Sequence, residues 1–300
     1  MSGITCAELP ARFAGTQCPL APAIIGLVVI HAVAAAGWRW ILVTVGDVVV
    51  PWRDALSLYY VSQAVGGITP ANIGGDIHRV ASLRDRGTWR EAVASVVIQR
   101  ATSYVALSLL SLVGLMVMAS RTDVATGIVI AGAAFACATS LVAWIVLRPP
   151  PALRSLASRV VSLFGGSEME LSGRVTRIRL ATMIGIGSGL AFHAGSIGLS
   201  WVLVHAIDPG APLVPVVSAL AVARLALAVP VTPSGLGVQE GLLGALFVSL
   251  GMPADTALAS MLLARISLIL TTAAGAVLLA RSRPPRPVSS PQPERFTATR

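Results

Sequence analysis

The sequence contains no lysine and few charged residues of any kind. Charged residues make up 12% of the 300 positions, whereas a soluble globular domain has about 25%, and the mean hydropathy is +0.80. The 22 basic side chains are all arginines, and with 13 acidic residues they give a formal net charge of +9. So little charge excludes an ordinary water-soluble fold. Because the apolar residues come in long runs, the sequence predicts an all-α integral membrane protein.

Cysteine and histidine are also scarce. Cys6, Cys18 and Cys137 are too few and too scattered for a disulfide framework or a CxxC metal site. The four histidines form no HExxH or other ligand spacing, so we expect no metal and no cofactor. Most arginines lie in short gaps between apolar runs and not in a basic domain with interleaved aromatics. We therefore expect an anionic membrane surface as partner, and no nucleic acid.

Apolar runs that are long enough to cross a bilayer define the architecture. A hydrocarbon core of about 30 Å needs roughly 20 apolar residues in a helix, and this rule predicts a bundle of seven to eight transmembrane helices. Segment 236–250 is the doubtful one, because its length is typical of a half-helix or a re-entrant segment. The other predicted spans are 20–45, 52–68, 92–119, 124–147, 180–207, 213–229 and 256–280.

Arginine in the gaps predicts the orientation, because positive charge near the ends of spans is retained in the cytoplasm. Eight crossings then put both termini in the cytoplasm of a protein of the cell membrane. The gaps expected to be cytoplasmic are 77–90, 148–179 and the tail that begins at Arg281, all of which carry several arginines. The gaps expected outside are 47–54, 121–123 and 208–212, which are nearly neutral or acidic.

The predicted transmembrane domain covers residues 1–281, with halves at about 20–147 and 180–281. The linker 148–179 has a weak apolar pattern that fits either an amphipathic helix at the interface or a solvated segment. The tail 282–300 is rich in proline and serine without apolar periodicity, so we expect it to be a disordered cytoplasmic segment.

The two predicted halves share a motif. The segment GGITPANIGGDIHR at 66–79 resembles AVPVTPSGLGVQEG at 228–241, and their Thr-Pro pairs begin at Thr69 and Thr232. Chance similarity between apolar sequences is one explanation for such a match. A duplication is the other, and it predicts two related halves with broken or re-entrant segments.

An acidic residue and then an arginine follow each copy of the motif. The acidic residues are Asp76 and Glu240, and the arginines are Arg100, which ends ASVVIQR, and Arg265, which ends ASMLLAR. Several matches in the same order favour the duplication over chance.

The Thr-Pro-glycine pattern cannot continue a helix, because proline removes a donor and glycine leaves the backbone free. Broken backbone at membrane depth persists only where it is buried in protein or lines a wet cavity. Paired interruptions in two halves indicate a transporter's central site, and the new helix N-termini attract anions. A pair of ordinary interfacial loops is the alternative. The predicted gate residues are Thr69, Pro70, Asn72, Gly74 and Gly75 in the first half, and Thr232, Pro233, Gly235 and Gly237 in the second.

Three of the arginines inside predicted spans are candidates for a role in binding. Arg100 and Arg265 lie roughly 15 Å of helix into their spans, and an arginine near the midplane usually faces a partner or a cavity. Arg224 lies nearer the end of its span, where snorkelling is an alternative. Structural ion pairs, Arg100 with Asp76 and Arg265 with Glu240, are compatible with a role in binding. The predicted lipid-path residues are Arg100, Arg265, Arg224, Asp76, Arg79 and Glu240.

Uncharged polar side chains also fall within or beside the spans. The amides of Asn72, Gln63, Gln99 and Gln239 have positions that suit the same cavity, but single amides in membrane helices usually join helices together. His193 is likewise expected to be a packed, hydrogen-bonded residue and not a proton relay.

These motifs resemble the lysylphosphatidylglycerol synthase transmembrane-domain family, also called flippase-like. The resemblance rests on ITPANIGGDIHRVASLRDRG, the arginine in the next span and VPVTPSGLGVQEG, and it extends from the WRW of the first span to Arg265. It implies a bundle of seven or eight spans that moves aminoacylated or other lipids between leaflets. In the multiple peptide resistance factor this region precedes a soluble aminoacyl-transferase domain. Because the residues after Arg281 leave no room for one, we do not expect aminoacyl transfer.

The expected function is a lipid translocase for an anionic phospholipid, an aminoacyl-lipid or a polyprenyl-linked lipid. We expect no enzymatic activity, since the sequence has no catalytic or nucleotide-binding signature. A membrane enzyme or subunit for lipid-linked glycosyl or acyl transfer is the alternative, with Asp76 and His78 as its only local constellation. A third hypothesis is a scaffold that recruits a soluble synthase or transferase through 148–179.

Overall fold

The computed structural model describes five segments of the chain, and the regular elements in them are all α-helices. The predicted all-α class is confirmed for this part of the chain. The described segments are 20–69, 72–84, 89–119, 168–224 and 237–281. Their helices are α1 (Leu20–Gly46), α2 (Trp52–Gly67), α3 (Ile73–Arg84), α4 (Trp89–Ala119), α5 (Glu168–Ile207), α6 (Leu213–Ala223), α7 (Val238–Ser249) and α8 (Ala254–Arg281).

Three of these helices are long and apolar enough to cross a membrane. They contain Ile24–Gly46 in α1, Trp89–Met118 in α4 and Val175–Ile207 in α5. Their outer surfaces are apolar, with Met116 of α4 68% exposed and Met183 of α5 63% exposed. Apolar exposure on this scale marks a surface that meets a partner or a membrane. The long helices therefore face lipid with these side chains.

Small residues let α1 and α5 pack closely and in opposite directions. Gly26 contacts Leu199, and Gly37 lies directly against Ser188. Rising numbers on one helix match falling numbers on the other, so the helices are antiparallel. A Cβ at Gly37 would overlap the Ser188 side chain, and close approach of this kind is how small residues promote association of membrane helices.

The directions of α4 and α8 follow from their contacts with α5. Thr102 of α4 lies against Gly185, and Ala106 lies against Gly189, so α4 runs parallel to α5. Near the start of α8, Ala257 belongs to the same buried cluster as residues near the end of α5. The long helices α4 and α8 are therefore antiparallel to each other.

The helices α2 and α3 form a hairpin that enters and leaves at the same end of the bundle. Near its tip, a Cβ at Gly75 would overlap the carbonyl of Ser62, so glycine is required there. Near its base, Leu83 is buried in one cluster with Ala55. The 16 residues of α2 rise about 24 Å, less than the roughly 30 Å of a hydrocarbon core. The hairpin therefore ends inside the bundle.

Thr69 closes the described part of the hairpin tip. Its Oγ1 donates to the Gly66 carbonyl and accepts from the Gly74 amide, each at 3.0 Å. Asn72 follows with φ of 56°, the left-handed conformation that breaks one helix and begins the next. Pro70, predicted as part of this gate, lies outside the described residues.

The short helices α6 and α7 lie at the opposite end of the bundle. Val216 of α6 and Phe247 of α7 are buried in one cluster with the last turns of α4 and α5. The 11 described residues of α6 form about 16 Å of helix, less than the roughly 30 Å of a hydrocarbon core. Thr232, Pro233 and Gly235 lie between these helices and outside the described residues.

Two contacts join loops at one end of the bundle. Arg177 Nη1 donates to Asp47 Oδ2 at 2.5 Å, and a Cβ at Gly46 would overlap the Glu91 side chain. The end of α1 therefore lies beside the starts of α4 and α5.

The predicted orientation is wrong for the gap 47–54. The gap 47–54, expected outside, lies at the same end as the gap 77–90 and residues 168–179 of the expected cytoplasmic linker. The physical reason is the hairpin, because segment 52–68 turns back before it has crossed. Arginine counting missed this, since Arg53 is balanced by neighbouring aspartates.

Several predicted spans agree with the helix bounds, but α3 was not predicted as a helix, and α6 is described only as Leu213–Ala223 within the predicted span 213–229. Predicted span 92–119 corresponds to Trp89–Ala119 and span 256–280 to Ala254–Arg281. The predicted start of the fifth span at residue 180 is wrong, because α5 begins at Glu168 and runs without a break. The predicted span 124–147 and the tail 282–300 lie outside the described residues.

We predict that Asp47→Cys and Arg177→Cys, each in a background without the native cysteines, are labelled by a membrane-impermeant maleimide from the same side of sealed vesicles. Gly210→Cys, beyond the other end of α5, should be labelled from the opposite side, because about 30 residues of helix span roughly 45 Å. Labelling of positions 47 and 177 from opposite sides would contradict the hairpin.

Candidate functional site

A cavity of about 300 Å³ lies at the centre of the bundle, where the two pairs of short helices approach each other. Side chains from all eight described helices line it. The structure thus brings the residues of the predicted lipid path together from both halves of the sequence. The residues of that path that line the cavity are Asp76, Arg79, Arg100, Arg224, Glu240 and Arg265.

Asp76 lies between two arginines on one side of the cavity. Its Oδ1 accepts from Arg79 Nη2 and its Oδ2 from Arg100 Nε, each at 2.6 Å. Asp76 and Arg79 are neighbours one turn apart on α3, whereas Arg100 comes from α4. The predicted pairing of Arg100 with Asp76 is therefore present, and Arg79 is a second partner.

The surroundings hold Arg79 in a fixed position. Its Nη1 donates to Gln99 Oε1 at 2.5 Å, and the Gln99 amide donates in turn to the Ala34 carbonyl of α1 at 3.1 Å. The guanidinium also stacks over Trp38 and Tyr59, at 5.3 and 5.6 Å from the ring centres. Gln99 therefore joins helices, as expected of an amide inside a span.

A second ion pair joins α7 and α8 on the other side of the cavity. Arg265 Nη2 donates to Glu240 Oε1, so this predicted pairing is also present. The other oxygen, Glu240 Oε2, accepts from the Gly237 amide at 2.7 Å and caps the start of α7.

Asn72 and Gly237 occupy the same position in their short helices. Each directly precedes the first helical residue, and each has a positive φ, 56° for Asn72 and 85° for Gly237. Counted from the two Thr-Pro pairs, Gly74 corresponds to Gly237 in the sequence, but Gly74 is the second residue of α3. Of the predicted gate residues, Gly74 and Gly75 therefore lie inside a helix.

Arg224 is the cavity arginine without a carboxylate partner among the described residues. Its Nη2 donates to the Ser196 carbonyl and to Ser200 Oγ, each at 3.2 Å. These contacts direct the guanidinium towards α5 and the cavity, and not towards an interface, which disfavours snorkelling.

His193 is a cavity residue that the sequence reasoning ranked low. It is 7% exposed, its Nε2 lies 2.9 Å from Ser103 Oγ, and its Nδ1 has no hydrogen-bond partner among the described residues. His193, Ser196 and Ser200 follow one another at i, i+3 and i+7, so they form one polar stripe on α5. That spacing on an otherwise apolar helix is the signal that could have identified the stripe.

The charges of the cavity favour an anion. Four guanidinium groups face it with two carboxylates, which leaves a net charge of +2 with the histidines neutral. Charge-assisted hydrogen bonds from arginine suit phosphate, which accepts two parallel bonds from one guanidinium. Among the residues that the structure describes, no group of three or more His, Cys, Asp or Glu side chains is placed to hold a metal ion.

Asp76 and His78 do not form an acid–base pair in the structure. Asp76 binds Arg79 and Arg100, whereas His78 Nδ1 lies 3.5 Å from Ser62 Oγ. Two residues apart on a helix, the side chains point away from each other. The constellation considered for catalysis is therefore not assembled.

Comparison with known families identifies the chain. A family model described as lysylphosphatidylglycerol synthase TM region matches residues 1–275. The chain belongs to this family. Searches of the curated proteins and of the solved structures gave no match. Membership in the lysylphosphatidylglycerol synthase transmembrane family supports a membrane function related to lipid.

We predict that Asp76→Asn lowers the free energy of unfolding by about 3–5 kcal/mol, because it leaves two partly buried guanidinium groups without their carboxylate. Asp47→Asn is the matched control. It breaks the Arg177–Asp47 pair, whose side chains are 50% and 73% exposed, and should cost less than about 1 kcal/mol. Unfolding of the detergent-purified protein, followed by tryptophan fluorescence, measures both. Equal losses would contradict the central role of Asp76.

Proposed function

We propose that this protein is a lipid translocase that moves an anionic lipid between the leaflets of the cell membrane. The observation that carries the proposal is the central cavity, in which four arginines face two carboxylates at the approach of the two pairs of short helices. Charged side chains within a membrane are costly and mark substrate paths. We also propose that the protein is not an enzyme.

The proposed halves are an inverted repeat of α1–α4 and α5–α8. In each half a long helix is followed by two short helices and another long helix. The long helix α4 packs on α6, where Ser111 Oγ donates to the Ala221 carbonyl at 2.8 Å, and α8 packs on α2, where Gly275 meets the Tyr60 carbonyl. Because α1 and α5 are antiparallel, as are α4 and α8, the halves have opposite orientations, an arrangement typical of transporters.

In this proposal the headgroup enters the cavity while the acyl chains remain in the bilayer. A cavity of about 300 Å³ accommodates a polar headgroup but not the two acyl chains of a phospholipid. The two pairs of short helices approach the cavity from opposite ends, so movement of α2 and α3 opens it to one leaflet and movement of α6 and α7 opens it to the other leaflet. Thr69 and Asn72 form the described part of the first gate.

We propose that the end of the bundle that carries Arg177 and the gap 77–90 faces the cytoplasm, because most loop arginines of the first half lie there. The end of α8 at Arg281 then lies in the cytoplasm, as expected. The start of α1 lies at the outer end, which revises the expectation that both termini are cytoplasmic.

A membrane subunit for lipid-linked glycosyl or acyl transfer is the alternative proposal. It would use the same anionic site to hold a lipid phosphate for a soluble partner enzyme. The absence of an Asp76–His78 pair among the described contacts makes a catalytic role for α3 less favourable than a transport role.

We predict that Arg100→Gln and Arg265→Gln each slow the transbilayer movement of fluorescent phosphatidylglycerol by at least about tenfold, because each removes a charge-assisted contact with the headgroup. The measurement uses proteoliposomes in which dithionite bleaches only the outer leaflet. Folding should survive, because Asp76 keeps Arg79 and Glu240 still caps α7.

Arg177→Gln is the matched control, since Arg177 lies in an exposed ion pair outside the cavity. Its transport rate should equal that of the unmodified protein. All variants are compared at equal reconstitution after size-exclusion chromatography. Unchanged movement in both cavity variants would rule out the cavity as the lipid path.

A further inference from the structure

We infer that the cavity is selective for a phosphate-bearing headgroup without an ammonium group, and that Arg224 is the principal contact of the phosphate. The inference rests on the proposed function and narrows its substrate class. It separates anionic lipids from the aminoacylated lipids that the name of the family suggests.

Both carboxylates of the cavity already accept hydrogen bonds from arginine side chains. Asp76 binds Arg79 and Arg100 through separate oxygens, and Glu240 binds Arg265 and the Gly237 amide through separate oxygens. An ammonium group that leaves water is stabilised best by a carboxylate or an aromatic face. An ammonium group at either cavity carboxylate would lie close to the guanidinium charges already paired there, those of Arg79 and Arg100 or that of Arg265.

The tyrosines of the cavity do not offer a cation site either, and Phe192, which also lines it, packs edge to face against His31 and His193. The face of Tyr59 is covered by the Arg79 guanidinium, and the Tyr104 hydroxyl accepts from Arg100 Nη1 at 3.1 Å. A second cation at these rings would meet like charge at short range, which is unfavourable in a site of low dielectric constant.

Arg224 has a positive charge and N–H donors that can bind an anion. Arg79 and Arg100 share Asp76, and Arg265 pairs with Glu240, but the described residues give Arg224 only the neutral oxygens of Ser196 and Ser200. Those bonds use Nη2 and leave the other edge of the guanidinium fork without a described acceptor. An anion in the cavity would supply the missing counter-charge.

The stripe on α5 supplies neutral donors beside that charge. His193 lines the cavity, and its buried Nδ1 has no partner in the part of the chain that the structure describes. A ligand can complete the hydrogen bond of such an atom. Ser103 of α4 faces it through the His193 Nε2 contact at 2.9 Å. Together with Arg224, these groups suit the oxygens of a phosphate ester and of hydroxyl groups on its head.

The test is calorimetric titration of the purified full chain in detergent with three probes. They are short-chain phosphatidylglycerol, its lysyl ester and inorganic phosphate. We expect phosphatidylglycerol to bind at least about tenfold more tightly than the lysyl ester, whose added ammonium groups find no described partner. If inorganic phosphate binds as tightly as phosphatidylglycerol, the ligand is free phosphate. If it binds more weakly, the ligand is a lipid headgroup.

Variants assign the contact to Arg224. Arg224→Gln should weaken binding of phosphatidylglycerol by about tenfold or more. Arg224→Lys should give an intermediate loss, since lysine keeps the charge but not the fork. Arg177→Gln should bind as the unmodified protein does. The lipid comparison on the unmodified protein decides the selectivity even if Arg224→Gln does not fold.

Two results would overturn the inference: equal or tighter binding of the lysyl ester, or unchanged binding in folded Arg224→Gln. Different results would reject the selectivity and the proposed transport function. Selective binding without transbilayer movement would reject the translocase and keep the anion site. Movement of the lysyl ester as fast as phosphatidylglycerol would reject the selectivity and keep the translocase.

Discussion

The ion pairs of Asp76 with Arg79 and Arg100 are the interaction on which the rest of the structure depends. They join the first hairpin to a long membrane helix at a depth where an unpaired guanidinium would be costly. The hairpin must therefore enter the bundle deeply enough for Asp76 to meet Arg100. That requirement explains the close packing at Gly75, where the Ser62 carbonyl leaves no room for a side chain.

The second pair of short helices, α6 and α7, meets the same constraint from the other end of the bundle through Glu240 and Arg265. A polar cavity lies between the two pairs, which these ion pairs hold in place. The 16 residues of α2 and the 11 described residues of α6 are each shorter than a hydrocarbon core. The pairing of the charges thus shapes the cavity, and Arg224 is the described cavity arginine without a carboxylate partner.

Much of this site could be predicted from the sequence, because the chemistry recurs at matching offsets. The repeated Thr-Pro motifs, Asp76 with Arg100 and Glu240 with Arg265 were visible as paired signals. The turn-back at Thr69 was not predictable from hydropathy, since a half-crossing and a short crossing have the same composition. The arginine count then failed for the gap 47–54, because it assumed a full crossing. The polar stripe on α5 was missed because a single histidine or serine inside a span does not indicate a site. Only their spacing, which places them on one face of the helix, does so.

The central claim is that the cavity between the two pairs of short helices holds a lipid headgroup. The most direct measurement is an electron cryomicroscopy structure of the protein in nanodiscs of phosphatidylglycerol. The account predicts phosphate density within hydrogen-bonding distance of Arg224, between α3 and α7, with the acyl chains outside the bundle. A cavity without headgroup density, with lipid ordered only on the outer surface of the long helices, would contradict it.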